Sequence, residues 1–251
     1  MGQLLQLAVE RFDGFQPRHL AAFMRCSAAF PGVLQLQQLR AWQAALRRRK
    51  PLDATAQDVS NMLLALGTLA ESDSRLAAAV SQPLAAQLLQ HAVELAARGE
   101  LTPLQPISNT IYGAALLGLQ LSTAQVEQLF SAVQRALEQP PSADTHKNVT
   151  QVLLACAQLS AVQAPAGDQP TPGNNPFHRY YPGARLVDAL LHRATGVALD
   201  VLGATQLVYA CGRLRHMPAP GDWTALLAGG WAWVLLHGVQ CIRFGWLPRI
   251  S

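Results

Sequence analysis

The side chains best placed to do chemistry in this chain are amides, hydroxyls and arginines that recur at fixed places in a repeated segment. Counting the first apolar residue of each copy as offset zero, offset two holds Asn61, Asn109, Gln151 and Gln206, and offset nine holds Thr68, Gln158 and Arg213. On a helical wheel these offsets lie at about 180–200°, opposite an apolar stripe centred near 340°. An amide offers both a donor and an acceptor, so a column with one amide per repeat can read one unpaired base per repeat. The same amides can instead bond one another between neighbouring helices, as a ladder that satisfies polar groups inside a stack. Both readings stay open at this level. Arg213 and Arg215 add groups able to contact phosphate or stack on a base.

The segment that carries these positions is residues 59–69, VSNMLLALGTL, with further copies at 20–30, 107–117, 149–159 and 204–214. Offsets three, four, seven and ten are apolar in nearly every copy, for example Met62, Leu63, Leu66 and Leu69, which is the spacing of an amphipathic helix. Offset six is always small: Cys26, Ala65, Gly113, Ala155 and Ala210. A missing side chain at a fixed point lets another backbone come close, so each copy is expected to make a helix crossing there. Offset one is Ser60, Ser108, Thr150 or Thr205, whereas the first copy has Ala21 and Ala22 at offsets one and two. The copies start 39, 48, 42 and 55 residues apart. A period of about 40 with stretchable loops predicts an all-α fold, an α-solenoid of about five stacked helix-pair repeats over residues 1–228.

Partner helices follow each copy. Leu36, Leu39, Trp42 and Leu46 keep helical spacing after Pro31-Gly32, and further partners are predicted over 83–97, from Ser122 to Pro140-Pro141, and from Ala184. The segment around 71–75, ESDSR, reads as an exposed turn. Residues 4–11 echo 88–95, so the chain reads as opening inside a repeat, as a fragment or on an improvised cap. At the other end, 229–251 lacks a polar face and reads as a degenerate or truncated tail.

Two further features bear on binding. Arg47, Arg48, Arg49 and Lys50 close the first partner helix. Cations there favour the helix dipole, and four in a row can also contact phosphate. The long insertion, 162–183, carries five prolines and three glycines around an HRYY core. Its tyrosines can stack on bases or pin the loop to the body.

The 251 residues are 50% hydrophobic and only 14% charged, as expected when inner helices are covered on more than one side. The net charge of +4, with a pI of about 9.1, is compatible with a polyanionic partner. No nucleophile elbow, Walker loop, dinucleotide glycine pattern or His-Glu-x-x-His occurs, and the histidines are scattered through different units, so no enzyme activity, cofactor or metal site is expected. Cys26, Cys156, Cys211 and Cys241 lack paired spacing and read as small core residues. The apolar stretch 229–247 is broken by His237, Arg243 and glycines, which makes a poor membrane span.

Helices of the form small polar, Asn or Gln, any, apolar, with a small residue at offset six and Leu at offset ten, together with the motif Pro218-Ala219-Pro220-Gly221-Asp222-Trp223, resemble octotricopeptide repeats of green-algal organelles. They are also similar to the helical repeats of FAST-kinase-like RAP-domain proteins. The resemblance spans about residues 4–228, and Ala219, Gly221 and Asp222 depart from the family's Pro-Pro-Pro-Glu-Trp. It implies an α-solenoid that binds single-stranded organellar RNA, alone or with other proteins of a ribonucleoprotein complex, in support of transcript stability, processing or translation. It implies location in chloroplast or mitochondrion, although no transit peptide stands out. The rival expectation is a protein scaffold of the HEAT or armadillo kind.

Overall fold

The computed structural model describes residues 2–30, 32–49, 53–141, 145–162, 180–196 and 199–226. The regular elements among the described residues are all helical. The chain divides into two compact units, 1–136 and 137–251.

The first unit contains α1 (Gly2–Val9), a 3-10 turn (Phe12–Gly14), α2 (Pro17–Ala29), α3 (Leu36–Arg47), α4 (Ala56–Ser72), α5 (Ser74–Ala79), α6 (Gln82–Ala97) and α7 (Leu104–Leu116), and α8 (Thr123–Leu137) runs to its boundary. The second holds α9 (Thr145–Val162), α10 (Ala184–Thr195) and α11 (Val201–Leu214), followed by helical residues 220–226. The repeated segments therefore lie in α2, α4, α7, α9 and α11. In the first unit α4 packs between α2 and α7, with α6 against both α4 and α7; in the second, α9 packs against α10 and α11.

Local chemistry sets the helix starts. Thr55 and Asp58 form a reciprocal capping box at α4, Ser122 and Gln125 do the same before α8, and the Asp200 carboxylate accepts from the Gly203 N–H at 2.7 Å. The predicted turn at 71–75 is instead a break between two helices. Asp73 takes an extended conformation that ends α4, then caps α5 by accepting from the Arg75 N–H, and Leu76 of α5 is buried. A short acidic cap between apolar neighbours can start a helix as well as stop one.

The residue at offset zero is completely buried in every copy (Leu20, Val59, Ile107, Val149 and Ala204, all at 0% exposure), so the register read from spacing is the register of the core. Phe30 and Cys26 depart from it. Both were expected on the apolar or crossing side of the first copy and are exposed, because α2 ends at Ala29 and packs on one repeat helix only.

Small residues allow a close crossing where one was expected. A Cβ added at Gly113 of α7 would lie 2.6 Å from the Leu63 carbonyl carbon and 2.7 Å from the Leu64 nitrogen, both backbone atoms of α4. On the facing side, a Cβ at Gly67 would lie 2.8 Å from the Leu116 Cβ. Offset one completes the arrangement. The hydroxyls of Ser60, Ser108, Thr150 and Thr205 each donate to a carbonyl three or four residues earlier in their own helix, at 2.8–3.1 Å. Each of these hydroxyls thereby finds an acceptor within its own helix.

Arginines near the ends of partner helices tie one helix pair to another. Arg49 donates through Nη2 to the Phe12 carbonyl at 3.1 Å, Arg135 to the Ala96 carbonyl at 2.7 Å, and Arg193 to the carbonyls of Leu137 and Gln139. Carbonyls at helix ends lack intrahelical donors, and a cation there complements the helix dipole. Trp42, wholly buried, donates its indole N–H to the Leu20 carbonyl at 3.0 Å and fixes α3 on α2.

Substituting Gly113 by Leu is expected to push α7 off α4 and lower stability by about 1–3 kcal/mol, the usual cost of overpacking. Urea denaturation measures it, and an unchanged midpoint would contradict the close crossing. The buried cysteines give a second outcome. Burial pushes the Cys156 and Cys211 thiols up to about 12 from an ordinary 9.0. The folded chain then holds these protons more tightly than the unfolded chain. Their contribution to stability is complete below pH 9.0 and is lost as pH rises toward about 12. Alkylation at neutral pH followed by peptide mapping should modify exposed Cys26 rapidly and spare Cys156 and Cys211 until denaturant is added.

Candidate nucleic-acid interface

The expected amide column divides into two kinds of position. Asn109 is only 4% exposed, and its Nδ2 donates to the Asn61 Oδ1 at 3.3 Å; the same oxygen accepts from the Gln57 Nε2 at 3.0 Å. Between α4 and α7 the amides therefore form the ladder. The wheel placed offset two on a free face, but α7 is covered by α4 on one side and α6 on another, and it buries most of its residues. Gln151, Gln206, Thr68 and Gln158 are half-buried, and the Gln158 Oε1 is enclosed with no hydrogen-bond partner. Arg213 and Arg215 are exposed; Arg215 adopts a left-handed backbone (φ 53) that ends α11.

The basic run 47–50 is largely committed to the fold. Arg47 donates to the Ser81 hydroxyl, Arg48 pairs with Asp13, and Arg49 holds the carbonyls of Phe12 and Asp13. Lys50 lies outside the described residues.

The sequence pattern picks out Gln206 and Arg213 on α11 but not the exposed Leu202 and Tyr209 on the same face. Leu202, Gln206, Tyr209 and Arg213 follow one another at spacings of four, three and four, hence on one face, and Tyr209 is 57% exposed and Leu202 66%. Tyr209 thus presents its ring between an amide one turn before it and a guanidinium one turn after. An aromatic face beside a cation and a two-way hydrogen-bonding group can stack on an unpaired base, bond its edge and neutralise its phosphate. The signal in the sequence is offset five, which is tyrosine in two copies, Tyr112 and Tyr209. Tyr112 differs in being half-buried near Glu71, and burial first, then that carboxylate, raises its phenol pKa.

The tyrosines that end the insertion face inward. Tyr180 is 1% exposed. The Tyr181 hydroxyl lies 3.0 Å from the His216 Nδ1, and the His216 Nε2 lies 2.8 Å from the Asp188 Oδ1, a chain that fastens the segment before α10 to the end of α11. Pinning therefore describes these two residues, and the rest of the HRYY core lies outside the described residues. The motif 218–223 has a structural task as well. Its Asp222 is 8% exposed, accepts from the Thr195 hydroxyl at 2.7 Å, and lies 3.5 Å from the His192 Nδ1, which ties the motif to the end of α10.

Among the described residues no group of three or more His, Cys, Asp or Glu is placed to hold a metal ion, and no helix is long and apolar enough to cross a membrane. The strongly lowered carboxyl, Asp73 at about 2, owes its shift to hydrogen bonds from Arg75 and caps the start of α5. Compared with family models, curated proteins and solved structures, the chain finds no match.

Proposed function

We propose that this chain is an α-solenoid of about five helix-pair repeats that binds single-stranded RNA, of the octotricopeptide-repeat kind, and supports the stability, processing or translation of organellar transcripts. The observation that carries the reading is the Gln206–Tyr209–Arg213 stripe on α11, an open aromatic ring flanked by the two groups that an unpaired nucleotide needs. Arg215 at the end of the same helix adds charge beside it. Asn61 and Asn109 act in this reading as stacking groups, which leaves base contact to Gln206 on α11.

A scaffold role for protein partners is the second reading. It is favoured by Leu202 and Met217, 66% and 70% exposed at either end of α11, because an apolar rim suits a protein surface better than a nucleic acid.

Fluorescence anisotropy with labelled single-stranded RNA at several salt concentrations separates the two. Tyr209→Ala should weaken binding by about tenfold, in line with the roughly 1–3 kcal/mol of a stacked base. Arg213→Ala should flatten the salt dependence by about 0.7 in log–log slope, one phosphate contact on a single strand. Absence of binding, or binding indifferent to both changes, would overturn the RNA reading. Asn109→Ala should act differently: it should lower stability by about 1 kcal/mol, measured by denaturation, and leave RNA affinity unchanged.

A further inference from the structure

The first unit also has a helix face that no described residue covers. Charge is unevenly spread along the chain: residues 1–50 hold eight cations against two acids, whereas the remainder hold eleven against thirteen. The basic character of the protein therefore resides in and around its first three helices. Part of it is spent there, since Arg48 pairs with Asp13, Arg49 holds two carbonyls and Arg47 reaches the Ser81 hydroxyl. Two arginines of α2 are not spent in this way. Arg25 has no hydrogen bond or ion pair among the described residues, and Arg18 uses only its Nε, on the adjacent His19 Nε2 at 3.3 Å.

Arg18, Ala22, Arg25 and Ala29 follow one another at spacings of four, three and four and are all exposed, while Leu20, Phe23, Met24 and Ser27 are buried behind them. The face of α2 open to solvent thus has the same repeat offsets as the stripe on α11, with guanidiniums in place of Leu202 and Tyr209. The two cations stand about 10 Å apart along the helix axis. Alanines between and beyond them leave the helix open to close approach, and α2 itself contains no acid. The residue after this stripe is Phe30, which caps the C-terminus of α2 and is 52% exposed. An acidic peptide answers the cations, whereas an unpaired nucleotide answers both the cations and the ring, because guanidiniums neutralise its backbone and an aromatic side chain stacks on its base.

We propose that the exposed face of α2 is a second contact surface for single-stranded RNA, in which Arg18 and Arg25 hold phosphates and the Phe30 ring stacks on a base. This rests on the RNA reading and concerns the first unit alone.

Fluorescence anisotropy with a labelled oligouridine, at a series of chloride concentrations and on the full chain, tests it. Arg18→Gln together with Arg25→Gln should flatten the log–log salt slope by about 1.4, two phosphate contacts on a single strand. Phe30→Ala should weaken binding by about tenfold with the slope unchanged, and Phe30→Trp should retain full affinity. Arg40→Gln, which removes an exposed cation from α3, is the control and should leave the slope as it is. All four positions are exposed, so the variants should keep the urea midpoint of the parent chain. RNA binding that Tyr209→Ala weakens but whose slope survives the double arginine change would overturn the α2 surface and leave the RNA reading standing. A slope that Arg40→Gln flattens as much per charge would do the same. Absence of RNA binding by the parent chain would overturn both. Binding of a polyglutamate peptide that needs Arg18 and Arg25, with RNA affinity indifferent to their loss, would give the face to an acidic protein partner and overturn the proposal.

Discussion

The close approach of neighbouring repeat helices is the constraint from which the rest of this structure follows. At the crossing of α4 and α7 there is no room for a Cβ at Gly113. A helix brought that near must not offer an unsatisfied polar atom to its neighbour, since an enclosed donor or acceptor without a partner costs about 1–3 kcal/mol. Offset one meets this condition with a hydroxyl that turns back onto its own helix, as in Ser60 and Ser108. Offset two meets it differently, because an amide is too long to turn back fully and bonds instead across the interface, Asn109 to Asn61. The pattern of small, small polar and amide residues is thus one solution to one packing problem.

That solution limits where function can reside. Wherever a repeat helix has neighbours on both sides, as α7 does, its polar face is drawn into the stack and is lost to a ligand. A repeat helix with fewer neighbours keeps an open face, and α11, which among the described elements of its unit packs chiefly on α9, is such a helix. Offset two forms a ladder at Asn61 and Asn109, whereas on α11 the half-buried Gln206 at that offset lies beside exposed Tyr209 and Arg213. An amide recurs at offset two in four copies, and coverage decides whether it is available.

This explains which features were legible in the sequence. The helices, their caps and the buried register could be read because they depend on residues a turn or two apart: Thr55 with Asp58, Asp200 with Gly203, and Val59 with Met62, Leu63 and Leu66. The small residue at offset six likewise announced a crossing, and Gly113 has one. Helical wheels show one helix at a time, so they could not show that α7 is covered twice or that Cys26 and Phe30 lie at an uncovered end of α2. The arginine clasps were illegible for the same reason, since Arg135 meets Ala96 only after two helices have turned. Tyr209 was legible in principle through its companion Tyr112 at the same offset, but a tyrosine among apolar residues reads equally well as core.

The arginines carry the last step. A net charge of +4 invites the inference that the surface is built for a polyanion. Yet Arg49, Arg135 and Arg193 donate to backbone carbonyls, and Arg48, Arg75 and Arg98 pair with acids close at hand. Charge used in this way stabilises helix ends and turns whether or not any ligand is present, so the overall balance says little about partners. Arg49 belongs to the architecture through Nη2, which holds the carbonyls of Phe12 and Asp13. An arginine spent on a helix end is lost to a ligand, so what bears on binding is a cation left exposed on an open helix face, as Arg213 is on α11.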